Sequence, residues 1–110
     1  MLTNITKAFT ISNSFKLCRT QWQQARGLMF SFPKTLVFEF HRPRKIGLHM
    51  FFVFFPIDVA FLNASREVVD IKRRFMPFTI YTSAEKASYV IETPTGGLNR
   101  TEKGDILHWA

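Results

Sequence analysis

The stretch Ile57-Asp58-Val59-Ala60-Phe61-Leu62-Asn63-Ala64-Ser65-Arg66-Glu67-Val68-Val69-Asp70-Ile71 decides the fold class. A run rich in Ile, Val and Phe enters a polar quartet of turn formers, Asn63 to Arg66, and a second apolar-rich run leaves it. Branched and aromatic side chains suit a pleated surface, and a short turn-forming loop between two such runs reads as a β-hairpin. Ile57 to Leu62 and Val68 to Phe75 are therefore expected to pair antiparallel.

Outward from this hairpin the same composition recurs in short pieces: Ala8 to Ser12, Phe15 to Cys18, Thr35 to Phe40, Leu48 to Val53, Tyr89 to Thr93 and Ile106 to Trp109. Thr101-Glu102-Lys103-Gly104-Asp105 reads as a turn that returns Ile106 and Trp109 to the core. Helix punctuation occurs once. Thr20 with Gln23 three residues on forms a capping-box pattern, and Gly27 suits the left-handed position that ends a helix, so Thr20 to Arg26 is expected to make about two turns. A parallel α/β sheet needs a helix after most strands and is excluded. The expectation is a mainly β domain, a jelly-roll-like sandwich or partly closed barrel with one short helix. Met29, Phe40, Phe54, Val59, Phe61, Val69, Ile71, Val90 and Ile106 fall on its apolar positions and are expected in the core.

The chain has 110 residues, 46% of them hydrophobic and thirteen of them Phe, which suffices for the core of one domain, residues 1–110. The apolar run Met50 to Ile57 is broken by Pro56 and falls far short of the ~20 residues that cross a bilayer. Met1 to Asn13 has no continuous apolar stretch of the kind a secretory signal carries. A cytoplasmic monomer is expected, its single cysteine, Cys18, having no internal disulfide partner.

The segments Ala25-Arg26-Gly27-Leu28-Met29 and Pro56-Ile57-Asp58-Val59-Ala60-Phe61-Leu62, in that order, resemble the family known as domain of unknown function 192. The similarity continues through Glu67 to Ile71, the Tyr89-Val90-Ile91-Glu92 strand and Lys103-Gly104-Asp105, covering about residues 15–110. What the resemblance implies is a jelly-roll-like β domain with a short helix before the A-R-G-L-M element, and no established activity. Many members have W-M-K-N-T ahead of the P-hydrophobic-D element. Here that place holds His49-Met50-Phe51-Phe52-Val53, without the polar Lys, Asn and Thr.

Asp58 lies inside an apolar strand, where a buried carboxylate needs a cation or several donors. Arg26, at the expected helix end, is its candidate partner, because a guanidinium meets a carboxylate with two parallel bonds. Arg26, Asp58 and His49 are the candidate floor of a site for a small polar or anionic ligand, since concave β domains often hold one. Binding is favoured over catalysis: no P-loop, dinucleotide fingerprint or nucleophile elbow is present, and Cys18 lacks a His and carboxylate arranged around it. Neither a cofactor nor a metal is expected. Met29, His49, Met50, Met76 and Cys18 match no metal-ligand spacing. The net charge of +7 is concentrated in Arg42-Pro43-Arg44-Lys45 and Lys72-Arg73-Arg74. Arg42, Arg44, Lys45, Lys72, Arg73 and Arg74 are therefore the candidates for an alternative role, non-specific nucleic-acid binding.

Overall fold

The hairpin of residues 57–75 is present in a computed structural model of the protein, which describes residues 1–19, 34–49 and 54–110. Ten strands occur among these residues. They are β1 (Leu2–Asn4), β2 (Phe9–Ser12), β3 (Lys16–Cys18), β4 (Leu36–Arg44), β5 (Gly47–His49), β6 (Ile57–Leu62), β7 (Val68–Phe75), β8 (Ile80–Thr82), β9 (Ala87–Pro94) and β10 (Leu107–His108). The expected bounds of β6 and β7 agree with the observed ones. Two strands were not expected, β1 and β8. The expected helix Thr20 to Arg26 and the expected core residue Met29 lie outside the described residues.

Five strands form the main sheet in the order β3-β4-β9-β6-β7, flanked by a three-stranded sheet β10-β1-β2 and a two-stranded sheet β5-β8. The fold is thus mainly β and layered; among the described residues the sheets do not close into a barrel. β3 and β4 run parallel, while every other named pair is antiparallel.

The loop between β6 and β7 shows why the turn reads so clearly in the sequence. The Asn63 side-chain oxygen accepts the backbone N–H groups of Ser65 and Glu67, each at 3.0 Å. The Arg66 N–H bonds to the Asn63 carbonyl at 2.9 Å. Arg66 itself takes the left-handed conformation, φ 63°, which costs a non-glycine residue about 1 to 3 kcal/mol. Its guanidinium offsets that cost: it lies 3.9 Å from the centre of the Trp109 ring and donates to the Trp109 carbonyl at 2.8 Å.

Because side chains alternate across a strand, the main sheet feeds a separate apolar cluster on each face. One contains Leu36, Phe38, Ile57, Val59, Phe61 and Val90. The other contains Val37, Ala60, Leu62 and Ile91, packed with Leu2, Leu98, Leu107 and Trp109 from outside the sheet. Of the expected core residues, Val59, Phe61 and Val90 are fully buried, and Phe40, Val69 and Ile71 are half-buried at the rims. Two expectations fail. Phe54, 63% exposed, stands ahead of Pro56 outside any strand, its ring edge against Phe78. Ile106 points outward because Leu107 and Trp109, two apart, take the inward positions around β10.

Candidate functional site

Glu92 is a buried carboxyl to which no described residue is shown to donate. It lies on β9, the central strand, and is 7% exposed. In register it faces Leu36 of β4 on one side and Val59 of β6 on the other. Directly paired residues share a face, so Glu92 projects with Leu36, Val59 and Val90 into the first apolar cluster. The same row continues to Lys16 on β3 and Lys72 on β7. Each stands two strands from Glu92, roughly 10 Å along the sheet.

Among the described residues, no donor is hydrogen-bonded to the Glu92 carboxyl. Burial alone therefore acts on it and pushes its pKa up to about 7. No wholly enclosed side-chain nitrogen or oxygen among these residues lacks a partner. The slight exposure Glu92 keeps thus reaches its carboxyl oxygens. The side chains paired with it across the sheet, Leu36 and Val59, are apolar and themselves buried. Near it, the Cys18 thiol is pushed up by burial, a shift that Lys16 and Lys34 oppose and the Glu92 charge reinforces, so the sulfur is not an activated nucleophile.

The other buried carboxyls contrast with it. Asp58, fully enclosed, accepts the backbone N–H of Arg74 at 3.0 Å on one oxygen and those of Gly96 and Leu98 at 3.0 and 3.1 Å on the other. Asp70 accepts the Tyr81 hydroxyl at 2.7 Å and the N–H groups of Ile71 and Ala84. That hydrogen bond, with burial, raises the Tyr81 hydroxyl to about 12. Asp105 accepts from Asn4, from Lys7 at 2.6 Å and from the Glu102 N–H. Each of these three fastens a loop; Asp58 and Asp70 accept on both oxygens, whereas the three donors to Asp105 all meet its Oδ2.

The candidates named from sequence are dispersed. Asp58 lies on the face opposite Glu92, where its three donors are all backbone groups. Arg26 is outside the described residues, and His49 is placed by its backbone only, at the end of β5. Among the basic residues, Arg42, Arg44 and Lys45 are exposed, with the Arg44 guanidinium 4.8 Å from the centre of the Phe40 ring. The second cluster is divided by the strand's alternation. Lys72 lies on the Glu92 face, its ammonium 5.6 Å from the Tyr81 ring centre, whereas Arg73 on the reverse face donates to the Leu98 and Thr101 carbonyls. Among the described residues no three His, Cys, Asp or Glu side chains are grouped to hold a metal. No described helix is long and apolar enough to cross a membrane.

Sequence reasoning missed Glu92 because a polar residue beside Ile91 reads as the solvated half of an alternating strand. The signal that finds it is parity: Glu92 is two residues from Val90, on a strand with neighbours on both sides.

The model of the DUF192 family, described as "Uncharacterized ACR", matches residues 3–109. The chain belongs to this family. Among DUF192 relatives, the UPF0127 protein of Thermococcus sibiricus is 38% identical over 99% of this chain and 74% of its own length. That of Pyrococcus horikoshii is 32% identical over 99% of this chain and 98% of its own length. A crystal structure from Novosphingobium aromaticivorans superposes with a TM-score of 0.80 at 27% identity, covering 86% of this chain and 74% of that one. A proposed transcription regulator from Sinorhizobium meliloti gives 0.84 at 24% identity, covering 97% and 88%, a likeness of fold alone. The DUF192 match thus starts ahead of the residues from about 15 onward that carry the motif resemblance.

Proposed function

We propose that this DUF192 domain is a binding module for a small polar ligand, received on the face of the main sheet where Glu92 stands. One observation carries the reading: a carboxyl buried among apolar side chains with no donor from the described residues. An unpaired buried polar group costs about 1 to 3 kcal/mol, and the other buried carboxyls, Asp58, Asp70 and Asp105, each accept at least three hydrogen bonds. A ligand that hydrogen-bonds to Glu92 recovers that cost on binding. Perturbed acids in partly enclosed apolar settings are concentrated at functional sites for this reason. Asp58 then holds the loop at residues 96–98, while Arg26 and His49 stay in the proposal as further ligand contacts. The reading takes the chain as a cytoplasmic monomer.

The test is an amide-correlation NMR screen of small polar fragments against the protein and its Glu92→Gln, Arg26→Ala and His49→Ala variants. Fragments that shift the Leu36, Val59, Val90 and Glu92 signals of the protein, but not those of Glu92→Gln, are the expected result. A library in which no fragment moves these signals, or in which Glu92→Gln responds like the parent, refutes the site.

A further inference from the structure

We infer that the apolar patch of Phe54, Met76, Phe78 and Ile80 docks on the surface of an anionic lipid bilayer, lying in the head-group region without crossing it. The inference is independent of the Glu92 reading and uses none of its residues. Seven large apolar side chains are exposed among the described residues, and these four, each between 49% and 68% exposed, lie together at one end of the main sheet. The pairing of Ile57 with Phe75 sets the residues ahead of β6 beside those after β7. The Phe54 and Phe78 rings meet edge to face there, 5.8 Å between centres. Single exposed apolar side chains need no explanation, but a contiguous group marks an interaction surface.

The chain holds this group outward. Thr79 donates its hydroxyl to the Met76 carbonyl at 2.6 Å, which ties the turn after β7. Phe78 within that turn has φ 62° and Arg74 at its approach 51°, a backbone region that bulky residues rarely adopt. On β8, Tyr81 turns inward to the Phe61 and Phe75 rings, so alternation sends Ile80 out.

The charge around the patch selects the partner. Arg74 is exposed where the segment begins. Two hydrogen bonds between Ile46 and Ser83 set the exposed Lys45 next to the far end of β8, about 10 Å from Ile80. The carboxylates of this region do not balance them. Asp58 and Asp70 are buried and occupied by donors, and Glu85 stands next to Lys86 in the chain. Glu67 is at the other end of the β6–β7 hairpin, about 20 Å away. Residues 20–33 and 50–53, outside the described ranges, contain no Asp or Glu and so add no negative charge. A second copy of the chain would set Arg74 against Arg74, because a twofold interface pairs like with like. A folded acidic protein would have to match the outline of side chains standing on two separate loops. A bilayer needs no such match. Its anionic head groups answer the cations, each worth roughly fivefold in affinity, and the acyl boundary receives the apolar side chains.

The test uses the full chain with vesicles of phosphatidylcholine alone and of an equimolar mixture with phosphatidylglycerol. Co-sedimentation should show binding to the mixed vesicles at least tenfold tighter than to the zwitterionic ones. That binding should weaken steeply between about 0.1 and about 1 M salt, as the Debye length shrinks from about 10 to about 3 Å. A nitroxide on the acyl chain should broaden the amide signals of Phe54, Met76, Phe78 and Ile80. It should spare Ile106, an exposed apolar residue bridged to Glu67 at the opposite end of the hairpin. The Phe54→Ser/Phe78→Ser double variant should lose at least tenfold in affinity, and Ile106→Ser nothing. The nitroxide pattern is read on the unaltered protein, so it decides the matter even if the double variant fails to fold. Equal binding to both kinds of vesicle, binding to neither, or broadening at Ile106 in place of the four patch residues overturns the inference. So does a dimer that Phe54→Ser/Phe78→Ser abolishes, which gives the patch to a second copy, or an oligonucleotide that shifts the same four amides and displaces the vesicles, which gives it to nucleic acid.

Discussion

Replacing Glu92 by Gln should remove a decline in stability that the parent protein shows between about pH 4.5 and pH 7. Burial raises this carboxyl from an ordinary 4.5 to about 7. The folded state therefore holds the proton where the unfolded chain has already released it. Stability is fully present below the unfolded pKa, falls as pH rises through the window, and reaches a constant deficit above about 7. A shift near 2.5 units at about 1.4 kcal/mol per unit makes the deficit about 3 kcal/mol. That is a large part of the roughly 5 to 15 kcal/mol a small domain possesses. Gln keeps the shape and cannot ionise, so every other titrating group is common to both proteins and drops out of the difference. Urea unfolding of the two at pH 4.5, 5.5, 6.5 and 7.5 gives that difference directly. It should grow by about 3 kcal/mol in favour of Glu92→Gln across the series. Curves that stay parallel would mean the carboxylate is already compensated within the fold, and the reasoning that makes Glu92 a site would collapse.

Asp58→Asn should cost about 3 kcal/mol and lower Tm by about 12 °C or more, because an amide cannot accept from Arg74 on one side and from Gly96 and Leu98 on the other. Calorimetry should show no comparable change for Glu102→Gln, whose side chain is exposed 3.8 Å from Lys7; equal melting of the two variants refutes the account. Arg66→Lys should lose about 1 to 2 kcal/mol in urea midpoint, since an ammonium cannot both lie flat on Trp109 and keep the hydrogen bond to its carbonyl. Asp105 is held low: burial works against its ionised form, but the bonds from Lys7, Asn4 and the Glu102 N–H outweigh it. Its stabilisation is present above the unfolded pKa and is lost as pH falls through the lowered folded one. Lys7→Gln should therefore move the acid-unfolding midpoint to higher pH, and an unmoved midpoint contradicts the assignment. Binding to single-stranded oligonucleotides, if it involves Arg42, Arg44, Lys45, Lys72, Arg73 and Arg74, should weaken steeply with salt and ignore sequence; a salt-resistant, sequence-selective complex on a filter or anisotropy assay would overturn this.

What could be read in the sequence follows from how local each interaction is. β6, β7 and their loop are legible because Asn63 organises its own turn and the two strands are neighbours in the chain. β8 was missed because Ile80 to Thr82 acquires strand geometry from β5, some thirty residues earlier, and is preceded by Pro77 in a segment that reads as a loop. β1 was missed because three residues are too few for a pattern. For Asp58, burial and the need for partners were legible, but its donors are backbone N–H groups, which no residue letter announces. Glu92 was hidden by the opposite problem. Alternation correctly separates it from Ile91 but does not say that both faces of the sheet are covered.

The three-stranded sheet has a consequence for how the chain can be assembled. β1 is held between β2, which follows within a few residues, and β10, which is made about a hundred residues later. Until then β1 and β2 form an isolated two-stranded ribbon, which is marginal in water. Leu2, buried against Leu107 and Trp109 in the finished molecule, has no lasting partner from that direction during synthesis. During translation the main sheet can form first, with the Leu2 side of its second cluster still wet. Only when residues 105–109 leave the ribosome, bringing the Asp105 bonds to Asn4 and Lys7 as well as Trp109, does this seam close. Nascent chains stalled just short of residue 105 should therefore be cut by protease within residues 1–12, while the β6–β7 hairpin is already protected.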